Sequence, residues 1–136
     1  MKRVALLIGV VLLLAACGGG NSEADKVKQA WTSFFSAQTP VSEKVAMLQD
    51  GARFKSAITT LVNNPLASQL NAKVSSVTLE GTKKAKVVFS IYLGNTAALS
   101  DQVGYAYKKK GKWLVGYAGL CKLMELQGEP PPACNP

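Results

Sequence analysis

Three cysteines and no histidine set the side-chain chemistry open to this chain. A thiol can be acylated, oxidised to a disulfide or used as a metal ligand, and its surroundings decide which. Cys17 follows an uncharged apolar run, Val4 to Ala16, and precedes a glycine triplet. Cys121 and Cys134 lie near the other end, the latter inside the segment QGEPPPACNP. Without histidine the most frequent general acid–base is missing, and two thiols fall short of a four-ligand zinc site. Neither a G-x-S-x-G elbow nor a glycine-rich phosphate loop is present. These residues point to covalent attachment and cross-linking, with no catalytic residue, metal or cofactor expected.

The surroundings of Cys17 choose among its chemistries. Lys2 and Arg3 give a positive start, and the 13 apolar residues after them are too few to cross a bilayer; a spanning helix needs roughly 20. A charged start, a short apolar segment and small residues at its exit read as an export signal. The exit Leu14-Ala15-Ala16-Cys17 resembles the bacterial lipobox, in which cleavage between Ala16 and Cys17 makes the cysteine the first mature residue. That resemblance implies a diacylglyceryl group on the Cys17 thiol and a further acyl chain, such as palmitate, on its freed amine. Each buried methylene contributes about 0.8 kcal/mol, so two or three chains hold a protein that one would release. An ordinary secretory signal with an unmodified cysteine is the competing reading.

The chain therefore divides into a signal peptide (1–16), a lipidated cysteine with its tether (17–22) and a single domain (23–136) ending in a proline-rich tail. The linker GGGNS spans at most about 18 Å. That places the domain near the headgroups, on the extracytoplasmic face of the cell membrane. The mature chain carries 14 Lys and Arg against 8 Asp and Glu, a net charge of +6. Arg53 is its single arginine, so the surface offers mobile point charges rather than planar forks. Export and the lack of an interleaved arginine and aromatic pattern exclude nucleic acid as a partner.

Periodicity supplies the elements. Ser22 stands three residues before Asp25 as a capping-box start, and Val27, Ala30, Trp31, Phe34 and Phe35 share one helical face. A second helix is expected to restart at Ser42 as its cap, with Val45 and Leu48 inward. A third follows Gly51 with Phe54, Ile58, Leu61 and Val62 on one stripe, and Asn63-Asn64-Pro65 stops it. The second half changes period. KVSSVTLEG and AKVVFSIYLG read as strands, the latter alternating Ala85, Val87, Phe89, Ile91 and Leu93 onto one face. Two more strands flank a lysine-rich turn at Gly111. Helices first and a four-stranded antiparallel meander second define an α+β fold with the helices on one face of a curved sheet.

Once Cys17 is acylated, Cys121 and Cys134 remain as an even pair in an exported protein, which favours a disulfide over two free thiols. The tail would then be pinned beside the end of the last strand.

Phe34-Phe35, Thr39-Pro40, Leu48-Gln49, Gly51, Phe54, Val74 to Val77, the strand around Phe89 and Ile91, Leu93-Gly94, Gly111 to Trp113 and the Cys121 to Cys134 tail together resemble the mycobacterial low-molecular-weight secreted antigen family. The resemblance runs from about residue 26 to the end. It implies a cystatin-like cone, related to nuclear-transport-factor-like domains, in an actinobacterial cell envelope. It carries over no catalytic residue, and the lipobox sets this chain apart from a simply secreted antigen.

Two features are candidate binding surfaces. A cone can leave a pocket at its mouth, and Trp31, Phe34, Phe54, Phe89, Ile91 and Trp113 are the residues expected near it, either lining a site for an apolar or lipid ligand or filling the core. In a meander the first and third turns fall at the same end. That gathers Lys83, Lys84 and Lys86 with Lys108, Lys109, Lys110 and Lys112, either as solubilising charge or as a contact for anionic lipid or wall polymer. Cone-shaped isomerases use a buried carboxylate with tyrosines, and Asp101 with Tyr92 and Tyr105 is the set to compare, although the run NTAALSDQ suggests a solvated turn aspartate. The sequence thus reads as a lipid-anchored, non-enzymatic binding or interaction module, its partner an anionic surface or an envelope protein.

Overall fold

The computed structural model describes residues 22–128 and 130–135. Helix α1, Glu23–Phe34, starts on Ser22, whose side chain accepts from the Asp25 backbone N–H while the Asp25 carboxylate accepts from Ser22, the capping box expected from the sequence. Helix α2, Val41–Met47, begins one residue before the expected cap. The Pro40 carbonyl accepts from the Glu43 and Lys44 N–H groups and closes the first turn, so Ser42 lies inside the helix rather than capping it. A 3₁₀ turn, Gly51–Phe54, leads into α3, Lys55–Asn63. A second 3₁₀ turn, Pro65–Gln69, delivers the chain to the sheet.

The sheet is a four-stranded antiparallel meander in chain order: β1 Leu70–Leu79, β2 Lys84–Leu93, β3 Thr96–Lys109 and β4 Lys112–Val115. On β2, Ala85, Val87, Phe89 and Ile91 are buried, with partly exposed residues between them, as the alternation requires. Strand β3 reaches further back than its polar sequence suggested. Its inward positions change parity from Leu99 to Gly104 and Ala106. Asp101 makes that switch: its backbone is left-handed (φ 50°) and its N–H donates to Ser90 Oγ at 3.0 Å, the geometry of a bulge rather than of a turn.

Helix α1 packs against β1, β2 and β4, so the sheet curls around it. The contact is close. Trp31 lies 4.2 Å from Phe89 between ring centroids, and a Cβ on Gly104 would sit 2.5 Å from the Trp31 ring, so only glycine lets the helix settle there. On the outer side of β4, Leu48 bridges Val115 in parallel and the Gln49 N–H donates to the Val115 carbonyl at 2.8 Å, covering that edge.

The chain does not end in strands. Helix α4, Tyr117–Leu126, follows β4 with Leu120, Cys121 and Leu123 buried. Cys121 is bonded to Cys134 across 13 residues, with Cα atoms 5.7 Å apart. The tail is therefore fastened to a helix, not beside the last strand as expected. No helix was expected over YAGLCKLMEL: its tyrosine and glycine extend the look of the preceding strand, while its apolar helical spacing appears only over the whole segment. The architecture is α+β, as the sequence implied, with one helix more.

Candidate functional site: the lysine-rich end and its anchor point

Strand register brings the two lysine-bearing turns together. Lys84 pairs with Tyr107 across β2 and β3, and the Lys108 N–H donates to the Lys83 carbonyl at 2.8 Å. The β3–β4 connection is a tight turn through Lys110 (φ 51°) and Gly111 (φ 75°), closed by the pair Lys109 and Lys112. All seven lysines expected at one end are there, but they are not equivalent. Lys108 donates to Glu23 Oε2 at 2.8 Å and is only partly exposed. Lys84 lies 3.8 Å from a Glu80 carboxylate oxygen and 4.4 Å from the centroid of the Tyr105 ring. Among the described residues, Lys83, Lys86, Lys109, Lys110 and Lys112 enter no ion pair.

Glu23 is the residue the sequence did not single out. Its Oε2 accepts from Lys108 Nζ and, at 2.7 Å, from Trp113 Nε1, while its Oε1 accepts from Lys26 at 3.1 Å. The Lys108 bond, then those of Trp113 and Lys26, hold its carboxyl at about 2, well below the usual range. A carboxylate in the first turn of α1 is also favoured by the helix dipole. The consequence is geometric: the first residue of α1 is tied to the β3–β4 turn. The N-terminal end of the domain and the lysine-rich end are the same end.

Beside this cluster lies a hollow of about 260 Å³, walled by Ala30, Met47 and Trp113 with Lys26 and Lys112 at its margin. Trp113 is the one member of the expected pocket set that borders it. Trp31, Phe34, Phe54, Phe89 and Ile91 are buried in the core, where Phe35 adds an edge-on contact with Phe34 and a stacked one with Phe89. Those side chains fill the space inside the curl. Asp101 is exposed on its bulge, while Tyr92 pairs with Ala97 and Tyr105 with Lys86, so the three form no common buried site.

A second unpredicted residue is Lys44, which is buried. Its signal was legible: Val41, Lys44, Val45 and Leu48 fall at i, i+3, i+4 and i+7, which puts a lysine on the inward face of α2. Cys17, the expected lipid attachment, and Ala16 lie outside the described residues. Among the described residues no helix is long and apolar enough to cross a membrane.

A curled antiparallel sheet wrapped on an N-terminal helix, with a disulfide-fastened tail, defines a small α+β module. A family model described as low molecular weight antigen MTB12, C-terminal domain, matches residues 21–131, and the chain belongs to that family. No curated protein and no solved structure matches the chain.

Proposed function

We propose that this protein is a lipid-anchored, non-catalytic binding module of an actinobacterial cell envelope, held so that its lysine-rich end rests on an anionic surface. The observation that carries the reading is the Glu23 bond to Lys108 and Trp113. It fixes the start of α1 at the lysine-rich end, and Cys17 precedes that start by a linker reaching about 18 Å at most. An acylated Cys17 would therefore bring this end of the domain, rather than the opposite one, against the headgroups. The lysines without an ion pair then lie within reach of anionic lipid, where each contributes about 1 kcal/mol.

The test uses the Cys17→Ala chain, so that acyl chains do not dominate, with vesicles of phosphatidylcholine alone or mixed with phosphatidylglycerol. Binding is expected only to the anionic vesicles and is expected to weaken with salt as the screening length falls to about 8 Å at physiological ionic strength. Replacing Lys83, Lys109 and Lys112 together by Gln should weaken it roughly 100-fold. Lys108 is left intact because its bond to Glu23 is structural. Binding indifferent to salt and to the triple replacement would reject the docking reading.

A further inference from the structure

At the other end of α1, about 18 Å along its axis from Glu23, the chain buries a charge. Lys44 is 4% exposed. Its ammonium donates to the Phe34 carbonyl and, at 2.6 Å, to the Ser36 carbonyl, so it caps the C-terminal end of α1, where a cation is favoured. It also lies 5.6 Å from the centroid of the Phe34 ring. Among the described residues it enters no ion pair, and its neighbour Glu43 is exposed. Burial lowers its pKa to about 8, which leaves it cationic at neutral pH.

Two carbonyls use two of the three ammonium donors and supply only partial negative charge. A buried cation balanced by dipoles alone is costly, and an apolar side chain on the inward face of α2 would avoid that cost. Lys44 also forms part of the wall of a hollow of about 210 Å³. Leu61, Val62 and Leu70 give that hollow apolar sides, while Ser36 and Gln38 add neutral polar groups beside Lys44. A single cation with neutral polar groups matches a single negative charge; a dianion would remain half uncompensated. At about 30 Å³ per water-sized group the space holds about seven heavy atoms.

We propose that this hollow binds a small monocarboxylate with a short aliphatic chain, its carboxylate on the Lys44 ammonium and its chain against Leu61, Val62 and Leu70. The site lies at the far end of α1 from the lysine-rich turns and does not depend on membrane docking. One charged group and a chain of about four to six carbons use both the cation and the apolar walls.

The experiment titrates hexanoate, and its uncharged analogue hexanamide, into the full chain held in phosphatidylcholine nanodiscs, with empty nanodiscs subtracted, and reads binding by saturation-transfer NMR. Saturable hexanoate binding is expected, with hexanamide at least about tenfold weaker. Ala67→Phe, which fills the hollow from the 3₁₀ turn and leaves Lys44 and its carbonyl bonds in place, should abolish hexanoate binding. Lys44→Met should remove the preference for hexanoate over hexanamide; if that variant does not fold, the hexanamide comparison and Ala67→Phe decide alone. Absence of saturable binding, equal affinity for the two compounds, or hexanoate binding unchanged in Ala67→Phe would overturn the proposal and leave Lys44 as a helix cap only.

Discussion

Two charged side chains organise the ends of α1, and neither acts as a surface charge usually does. Glu23 gathers Lys108, Trp113 and Lys26 at the N-terminal end. Lys44 satisfies carbonyls at the C-terminal end. Because the Glu23 carboxyl is held at about 2, below its ordinary 4.5, the folded state favours its ionised form. Its stabilisation is complete above pH 4.5 and is lost as pH falls through about 2. Glu23→Gln keeps an acceptor of the same shape without the charge. The variant should be less stable than the parent at pH 7, and the gap in urea midpoint should close between pH 4.5 and 2. A gap constant across that window would mean that shape, not charge, is what Glu23 contributes.

At the scale of elements, α4 is held by two devices, its buried face of Leu120 and Leu123 and the bond from Cys121 to Cys134. The tail is further fixed where Arg53 donates to the Ala133 carbonyl at 3.2 Å. A disulfide closing a loop of this length stabilises by roughly 3 kcal/mol in the chain-entropy account. For a domain of about 100 residues that corresponds to a fall in Tm of roughly 10 to 20 °C. Cys134→Ser should show this fall in a thermal scan, and the parent freshly isolated from the envelope should present no reactive thiol before reduction. An unchanged Tm would mean that the tail unfolds independently of the domain.

For the whole molecule, the decisive property is polarity along α1. One end carries the lysine-rich turns and the start of the domain; the other carries the buried ammonium and its hollow. If Cys17 is acylated, that polarity becomes orientation, with the Lys44 hollow directed away from the membrane. Cys17→Ala should move most of the protein from the membrane fraction to the soluble one, with loss of the lipid mass from the mature chain. A parent chain of unmodified mass would sink the anchor. Short tether and positive end act together in this arrangement, since the linker limits how far the lysines can rise from the headgroups.

The sequence by itself determined what depends on local pattern. Ser22 with Asp25 started α1, Val27, Trp31 and Phe34 marked its buried face, and the alternation of Ala85, Val87, Phe89 and Ile91 marked the inner face of β2; each follows from a fixed period of a helix or strand. The meander order and the shared end of the lysine turns were legible for the same reason, because antiparallel strands must reverse at every turn. What only the tertiary structure decided were relations between distant segments. Glu23 and Trp113 stand 90 residues apart, and no local rule pairs them until the sheet curls around α1. The bulge at Asp101 was hidden in a polar run, because its cause is the change of inward parity on β3, which exists only against β2. The spacing of α2 places Lys44 on its inward face, but the carbonyls it satisfies come from the end of another helix, and no local rule supplies them. Of the two readings open for the aromatic residues, Trp31, Phe34, Phe54, Phe89 and Ile91 fill the core, because whether a curl is hollow depends on how closely the helix approaches the sheet, and that approach was set by the missing side chain of Gly104.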